Sequence, residues 1–218
     1  MYHEVRKPPP GAPNPQLFVQ ANTFRAQMDW FRRHGYRAVT MIQLQRAWKG
    51  RFAMPPKPVV LTFDDGYRSV YQNVVPLLRR WHWPGVLNLA LGNTRSAEGV
   101  TRRQVKRMMQ AGWELASHTV SHLDLPSLGP AQLRYETAGA RRLIKKWFHV
   151  TPTDFCYPAG SFNGRVIAAV RRAGYTTATT VAPGLARPGR PYEIPRVRVE
   201  QAMGVNGLVG TIARLRRQ

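Results

Sequence analysis

Three stretches of this chain share one grammar. FRRHGYRAVT, MMQAGWELAS and VRRAGYTTAT each pass from an amphipathic segment through a glycine (Gly35, Gly112, Gly174) to an aromatic residue and an extended run. Glycine just past a helix takes the left-handed conformation without a Cβ penalty. The aromatic and β-branched residues that follow suit a strand. Repeated helix-to-strand junctions predict an α/β architecture with parallel strands.

The pattern extends along the sequence. Strands are predicted at Met1–Val5, Tyr36–Val39, Pro58–Phe63, Val86–Leu91, Trp113–Ser117, Asp154–Tyr157, Tyr175–Thr180 and Ile194–Val199. Helices are predicted to start near Asn22, Thr40, Ser69, Thr101, Pro130 and Asn163, several at a capping side chain or a first-turn Pro. Pro8–Pro15 reads as an extended loop, and Gly204–Arg217 as a last helix weakened by its glycines. No domain boundary interrupts residues 1–218. Seven or eight βα-like units in that length predict a single-domain (β/α)-barrel with its site at the strand C-termini.

Charge narrows the partners. With 33 Lys+Arg against 11 Asp+Glu, the formal net charge is +22. Such a field attracts nucleic acid, anionic cell-wall polymer and anionic membrane surfaces alike, and charge alone does not choose among them. Arg32-Arg33, Arg79-Arg80 and Arg171-Arg172 close predicted helices, where cations offset the negative end of the helix dipole. No nucleic-acid-binding motif is present. Cys156 is the single cysteine, so an intrachain disulfide is excluded. No segment approaches the roughly 20 uninterrupted apolar residues of a membrane span. The start, Met1–Val5, lacks a basic-then-apolar leader pattern and reads as a strand; a leader or anchor removed from the chain remains compatible with it.

Two motifs carry chemistry. In Leu61-Thr62-Phe63-Asp64-Asp65-Gly66-Tyr67 an apolar strand runs into adjacent carboxylates and a turn glycine. Side chains next to each other in a strand face opposite ways, but a bend at the strand's end lets both address one pocket. Two crowded carboxylates resist being ionised together unless a cation is present. The second motif is His118-Thr119-Val120-Ser121-His122, directly after a predicted strand. Histidines four apart share one face of a helical turn, as metal ligands require. Zinc proteases use the same spacing with Glu after the first His; here that residue is Thr119, so that reading fails. Asp65, His118 and His122 then supply three ligands for one divalent ion, zinc by preference and cobalt or nickel as alternatives, with coordination left open. Asp64 stands beside that ion as a general base.

These residues give the chain its resemblance. Thr62-Phe63-Asp64-Asp65-Gly66, Ser117-His118-Thr119-Val120-Ser121-His122 and Tyr157-Pro158-Ala159-Gly160 resemble the motifs of the polysaccharide deacetylase family, also called NodB-homology or carbohydrate esterase 4. The resemblance spans nearly the whole chain. It implies a distorted (β/α)-barrel, commonly of seven strands, and removal of N-acetyl groups from an N-acetylglucosamine-containing polysaccharide. It assigns Asp64 as base, and it places the backbone N–H of Tyr157 at the oxyanion. Pro158 of the same motif, Phe162 just after it, and Arg196 are expected near the substrate.

Two departures stand out. Many members carry Arg where this chain has Cys156, and Arg196 in Ile194-Pro195-Arg196-Val197 is the candidate replacement beside Asp64. Many members also end in a Leu-x-His motif that supplies the acid, yet no His follows His149. Met1-Tyr2-His3-Glu4-Val5 is similar to the N-terminal strand of a permuted branch that includes poly-N-acetylglucosamine deacetylases, which makes His3 the expected acid. The rival readings are an O-acetyl polysaccharide esterase and a catalytically inactive basic module that binds anionic wall polymer or nucleic acid. The expected setting is extracellular or cell-surface, as a monomer, with an anionic wall or membrane surface as a further partner and no specific nucleic-acid binding.

Overall fold

The structure is a computed structural model and describes residues 1–217. The glycine junctions end helices as their sequence requires. Gly35, Gly112 and Gly174 have φ of 78°, 86° and 90°. They connect α1 (Ala21–Arg33) to β1 (Arg37–Ala38), α5 (Arg102–Gln110) to β5 (Glu114–Ser117), and α8 (Gly164–Arg172) to β7 (Thr177–Pro183). Helix starts follow capping chemistry. Thr40 and Thr101 form reciprocal capping boxes with Gln43 and Gln104 at the heads of α2 (Met41–Trp48) and α5. The Asn163 side chain accepts the Val166 N–H at the head of α8.

Six parallel strands pair in chain order: β3 (Thr62–Phe63), β4 (Val86–Leu89), β5, β6 (Asp154–Cys156), β7 and β8 (Ile194–Arg196). The expected seven-stranded sheet is therefore a six-stranded one. The reason lies in Pro58–Phe63, which changes partner midway. Its first part, β2 (Pro58–Val59), pairs only with β1, while β3 pairs with β4. Met1–Val5 is likewise not a regular strand. Tyr2 donates to Thr62 O and accepts from Asp64 N–H, both at 2.9 Å, and Met1 O accepts from Val199 N–H at 3.0 Å. The segment thus links β3 to the chain beyond β8.

Between these strands lie α3 (Arg68–Asn73), α4 (Val75–Arg79), α6 (Pro130–Arg134), a π-helical turn (Tyr135–Gly139) and α7 (Ala140–Phe148). The glycine-weakened tail forms α9 (Val205–Arg216), which packs on α1 and buries Leu208. Phe63, Leu87 and Leu89 of the sheet and Phe24, Met28, Val70, Leu78, Val105 and Ile144 of the helices share one core. Burying each such side chain is worth about 1.5–3 kcal/mol. That core fixes the strands, and the strand C-termini bring three loops together: Asp64–Gly66 after β3, His118–His122 after β5, and Tyr157–Gly160 after β6.

Candidate active site

The backbone of these loops is bent where side chains meet. Asp65, Thr119, His122 and Ala159 are non-glycine residues with φ of 72°, 70°, 55° and 52°. Such positions cost on the order of 1–3 kcal/mol each and persist only where surroundings enforce them. The bend expected from Gly66 falls at Asp65 as well, and Gly66 itself (φ 87°) has no room for a Cβ, which would lie 2.5 Å from Leu89 Cδ1.

Asp65 Oδ1 lies 3.2 Å from both His118 Nε2 and His122 Nε2. Asp65 and His118 are buried, while His122 is half open to solvent at 41% side-chain exposure, so one side of the cluster is accessible. His118 Nδ1 lies 2.8 Å from Cys156 O; a carbonyl can only accept, so Nδ1 carries a proton and Nε2 is the nitrogen turned to Asp65. Asp65 Oδ1 is buried without a hydrogen bond. Converging nitrogen lone pairs and a carboxylate oxygen repel unless a cation or proton sits among them. The residues fit a divalent cation. Asp64, His118 and Cys156 form a second such group. It fits less well, because the Asp64 oxygens already hold protein donors.

Asp64 Oδ1 accepts from Asn88 Nδ2 at 2.7 Å and from Arg196 Nη1 at 2.8 Å, and Oδ2 accepts from Arg196 Nη2 at 2.7 Å. The fourth lone-pair position faces only the Cys156 thiol at 3.6 Å. Burial pushes the Asp64 carboxyl up, but the Arg196 guanidinium wins and holds it well below the usual carboxylate range. Arg196 comes from β8 and replaces the Arg absent at position 156. Its remaining donors go to Thr180 O, Thr62 Oγ1 and Cys156 Sγ, and it is buried. It holds Asp64 and is not free for substrate, which corrects the substrate-binding expectation. A small side chain at 156 leaves room for it: Arg196 Nη2 lies 3.2 Å from Cys156 Sγ.

His3 is buried, its Nδ1 without a partner. Burial pushes its imidazole below the ordinary value, and the carboxylates of Asp64 and Asp65 pull the other way. The N-terminal segment thus brings His3 into the field of the carboxylate pair. Tyr157 is different. Its N–H donates to Thr179 O at 3.2 Å in the sheet, and its hydroxyl donates to Tyr192 O. The oxyanion role expected for that N–H is corrected. Pro158 has no N–H, and the N–H groups of Gly160 and Ser161 donate to Tyr157 O and Pro158 O, so Ala159 offers the uncommitted N–H of this turn. Pro158 is buried, and Phe162 stacks on Tyr157 with ring centroids 4.8 Å apart, half-exposed at the loop.

Two residues of the site were not anticipated. Asn88 is a polar residue in the apolar strand β4, a local anomaly that could have marked it. Glu136 left no such signal in spacing. Buried in the π-helical turn, it accepts the N–H groups of Val120 (2.9 Å) and Ser121 (2.8 Å), while Thr119 Oγ1 accepts the His122 N–H (2.9 Å). These bonds hold the left-handed His loop in shape. Glu136→Leu should lower divalent-ion affinity about 10–100-fold in calorimetry, as loss of supporting contacts does, while Glu136→Gln, which keeps an acceptor, should lose less. Equal affinity in Glu136→Leu and the parent would show that the loop needs no such tether.

Known proteins share this fold. The family model described as polysaccharide deacetylase matches residues 52–178. YxkH of Bacillus subtilis is 31% identical over 93% of this chain and 71% of its own length. The poly-beta-1,6-N-acetyl-D-glucosamine N-deacetylase of Escherichia coli is 31% identical over 84% of this chain, which spans only 34% of that protein. A deacetylase of Streptococcus pyogenes, solved in complex with acetate, superposes with a TM-score of 0.89 at 26% identity, covering 97% of this chain and 95% of that one. The chain belongs to the polysaccharide deacetylase family.

Proposed function

We propose that the chain removes N-acetyl groups from an N-acetylglucosamine-containing polysaccharide of the cell wall or an exopolysaccharide, releasing acetate. The observation that carries this reading is the convergence of Asp65, His118 and His122 at 3.2 Å beside an Asp64 held ionised by Arg196. Asp65, His118 and His122 would hold one divalent ion, zinc by preference, whose presence supplies Lewis-acid polarisation of a carbonyl and of water. Asp64 takes the proton of the attacking water, its carboxylate fixed by Asn88 and Arg196. The Ala159 N–H donates to the oxygen that becomes negative. His3 gives a proton to the departing amine; a pKa lowered by burial makes its imidazolium a stronger acid, and the neighbouring carboxylates favour loading it. Phe162 offers an apolar wall for a sugar ring. Residues 1–218 act in this reading as one catalytic unit, a monomer working outside the cell or at its surface.

Acetate release distinguishes the readings. N-acetylglucosamine oligomers and peptidoglycan should release acetate, and acetylxylan little; the reverse order would establish an O-acetyl esterase, and no release from any would establish a binding module. His3→Ala should slow the N-acetyl substrate about 10²–10⁴-fold, because an amine leaves poorly unprotonated. An activated ester, whose leaving group needs no proton, should be slowed far less. Equal slowing of both substrates would remove His3 from the acid role.

A further inference from the structure

The strand N-terminal end of the fold, opposite the candidate site, carries a cationic face. β4, β5, β6 and β7 each start a few residues after a helix ends, so helix C-termini gather at that end. Arg32-Arg33 close α1, Arg79-Arg80 close α4, and Arg171-Arg172 close α8, all exposed. Lys145 and Lys146 add to them from the last turn of α7, and Lys106 and Arg107 from α5.

Carboxylates are sparse on this face. Of the 11 Asp and Glu, six are buried: Glu4, Asp64, Asp65, Glu114, Glu136 and Asp154. Glu98, Asp124 and Glu200 lie in segments that follow β4, β5 and β8, at the site end. Asp29 and Glu193 are half-buried, and Glu193 faces Arg190 at 3.5 Å. Three half-buried tryptophans stand among the cations: Trp30 in the last turn of α1, Trp48 ending α2, and Trp81 just after α4, beneath Arg32 at 5.1 Å. Offsetting helix dipoles accounts for a cation at each helix end. It does not account for the scarcity of exposed carboxylates between them, nor for the indoles.

We propose that this face docks on the phosphate headgroups of an anionic lipid bilayer. The chain's basic side chains are 27 Arg and 6 Lys, and the guanidinium fork matches phosphate oxygens in pairs. The cations named here come from five helices, which suits a plane better than a single strand held in a groove. Indoles beside cations suit the headgroup boundary, where aromatic rings sit partly buried. No helix of the described residues is long and apolar enough to cross a membrane, so the contact is peripheral. Resting on the proposed site, this orientation turns the catalytic loops away from the bilayer, toward polymer outside it.

Vesicle co-sedimentation tests the assignment without any activity readout. The whole chain should bind phosphatidylcholine vesicles containing phosphatidylglycerol at about 0.1 M salt, and should not bind pure phosphatidylcholine. R79Q/R80Q should weaken binding about 25-fold, at roughly fivefold per cation near the surface. K7Q/R95Q removes the same charge from the site end, where Lys7 adjoins the Arg6–Glu98 pair and Arg95 lies beyond β4, and should weaken it less than about threefold. Equal losses in the two variants would reduce the effect to net charge and overturn the docking face. Tighter binding to a soluble phosphodiester polymer, such as duplex DNA, than to the vesicles would assign the face to a polymer instead. Bound protein should release acetate from a soluble oligomer at the free rate; slower release on vesicles alone would overturn the orientation, whereas no release in either state would count against the catalytic reading and leave the vesicle result standing.

Discussion

Asp64→Asn should lower turnover on an N-acetylated oligosaccharide by about 10²–10⁴-fold, the range a positioned general base contributes. The amide cannot take the water's proton. Its shape would let it stay in place, but its NH₂ would now face donors from Arg196 or Asn88, which today meet a carboxylate at 2.7–2.8 Å. Some stability should therefore be lost along with activity. Divalent-ion binding, measured by elemental analysis, should survive, because Asp65, His118 and His122 are untouched. A variant that kept even a tenth of the parent's turnover would show that the base lies elsewhere.

Arg196→Met should be the most destabilising single change at the site. It leaves the Asp64 carboxylate buried and unpaired, and breaking a buried pair in this way costs about 3–5 kcal/mol. For a chain of this size that corresponds to a fall in Tm of roughly 10 °C. The sign with pH follows from the direction of the shift. Because Arg196 holds Asp64 below its unfolded value, the pair contributes stability above that value, near pH 4, and loses it as pH falls further toward the folded pKa. The difference in Tm between parent and variant should accordingly shrink in acid. The acidic limb of the activity profile should move up in the variant, since Asp64 would protonate at higher pH without the guanidinium. A limb that stayed in place would mean that Arg196 does not govern Asp64.

Much of the fold was legible because its signals are local. Glycine at the ends of α1, α5 and α8, Thr at the heads of α2 and α5, and Asn163 before α8 each dictate a backbone conformation within a few residues. Strand pairing is not local. Nothing within Pro58–Phe63 shows that its two parts take different neighbours, nor that Met1–Val5 makes bridges without forming a regular strand. The site divides in the same way. The meeting of Asp65, His118 and His122 was readable from residue type, although the two histidines meet through a left-handed loop and not the helical turn that their spacing suggested. Arg196 reaches Asp64 from 132 residues away, and Glu136 braces a loop through backbone N–H groups that carry no residue identity. The Tyr157 expectation failed for a related reason. Whether a backbone N–H is free depends on the neighbouring strand, here on Thr179 O, and not on the motif that contains it.

Acetate release should depend on a divalent ion held by Asp65, His118 and His122. The most direct test follows acetate released from an N-acetylglucosamine oligomer by protein dialysed against chelator until elemental analysis finds no ion, and again after one equivalent of zinc is restored. Release should disappear with the ion and return with it, and His118→Ala should show neither binding nor return while remaining folded by circular dichroism. Undiminished release from ion-free protein, or full recovery in His118→Ala, would show that the chemistry needs no ion at these three residues.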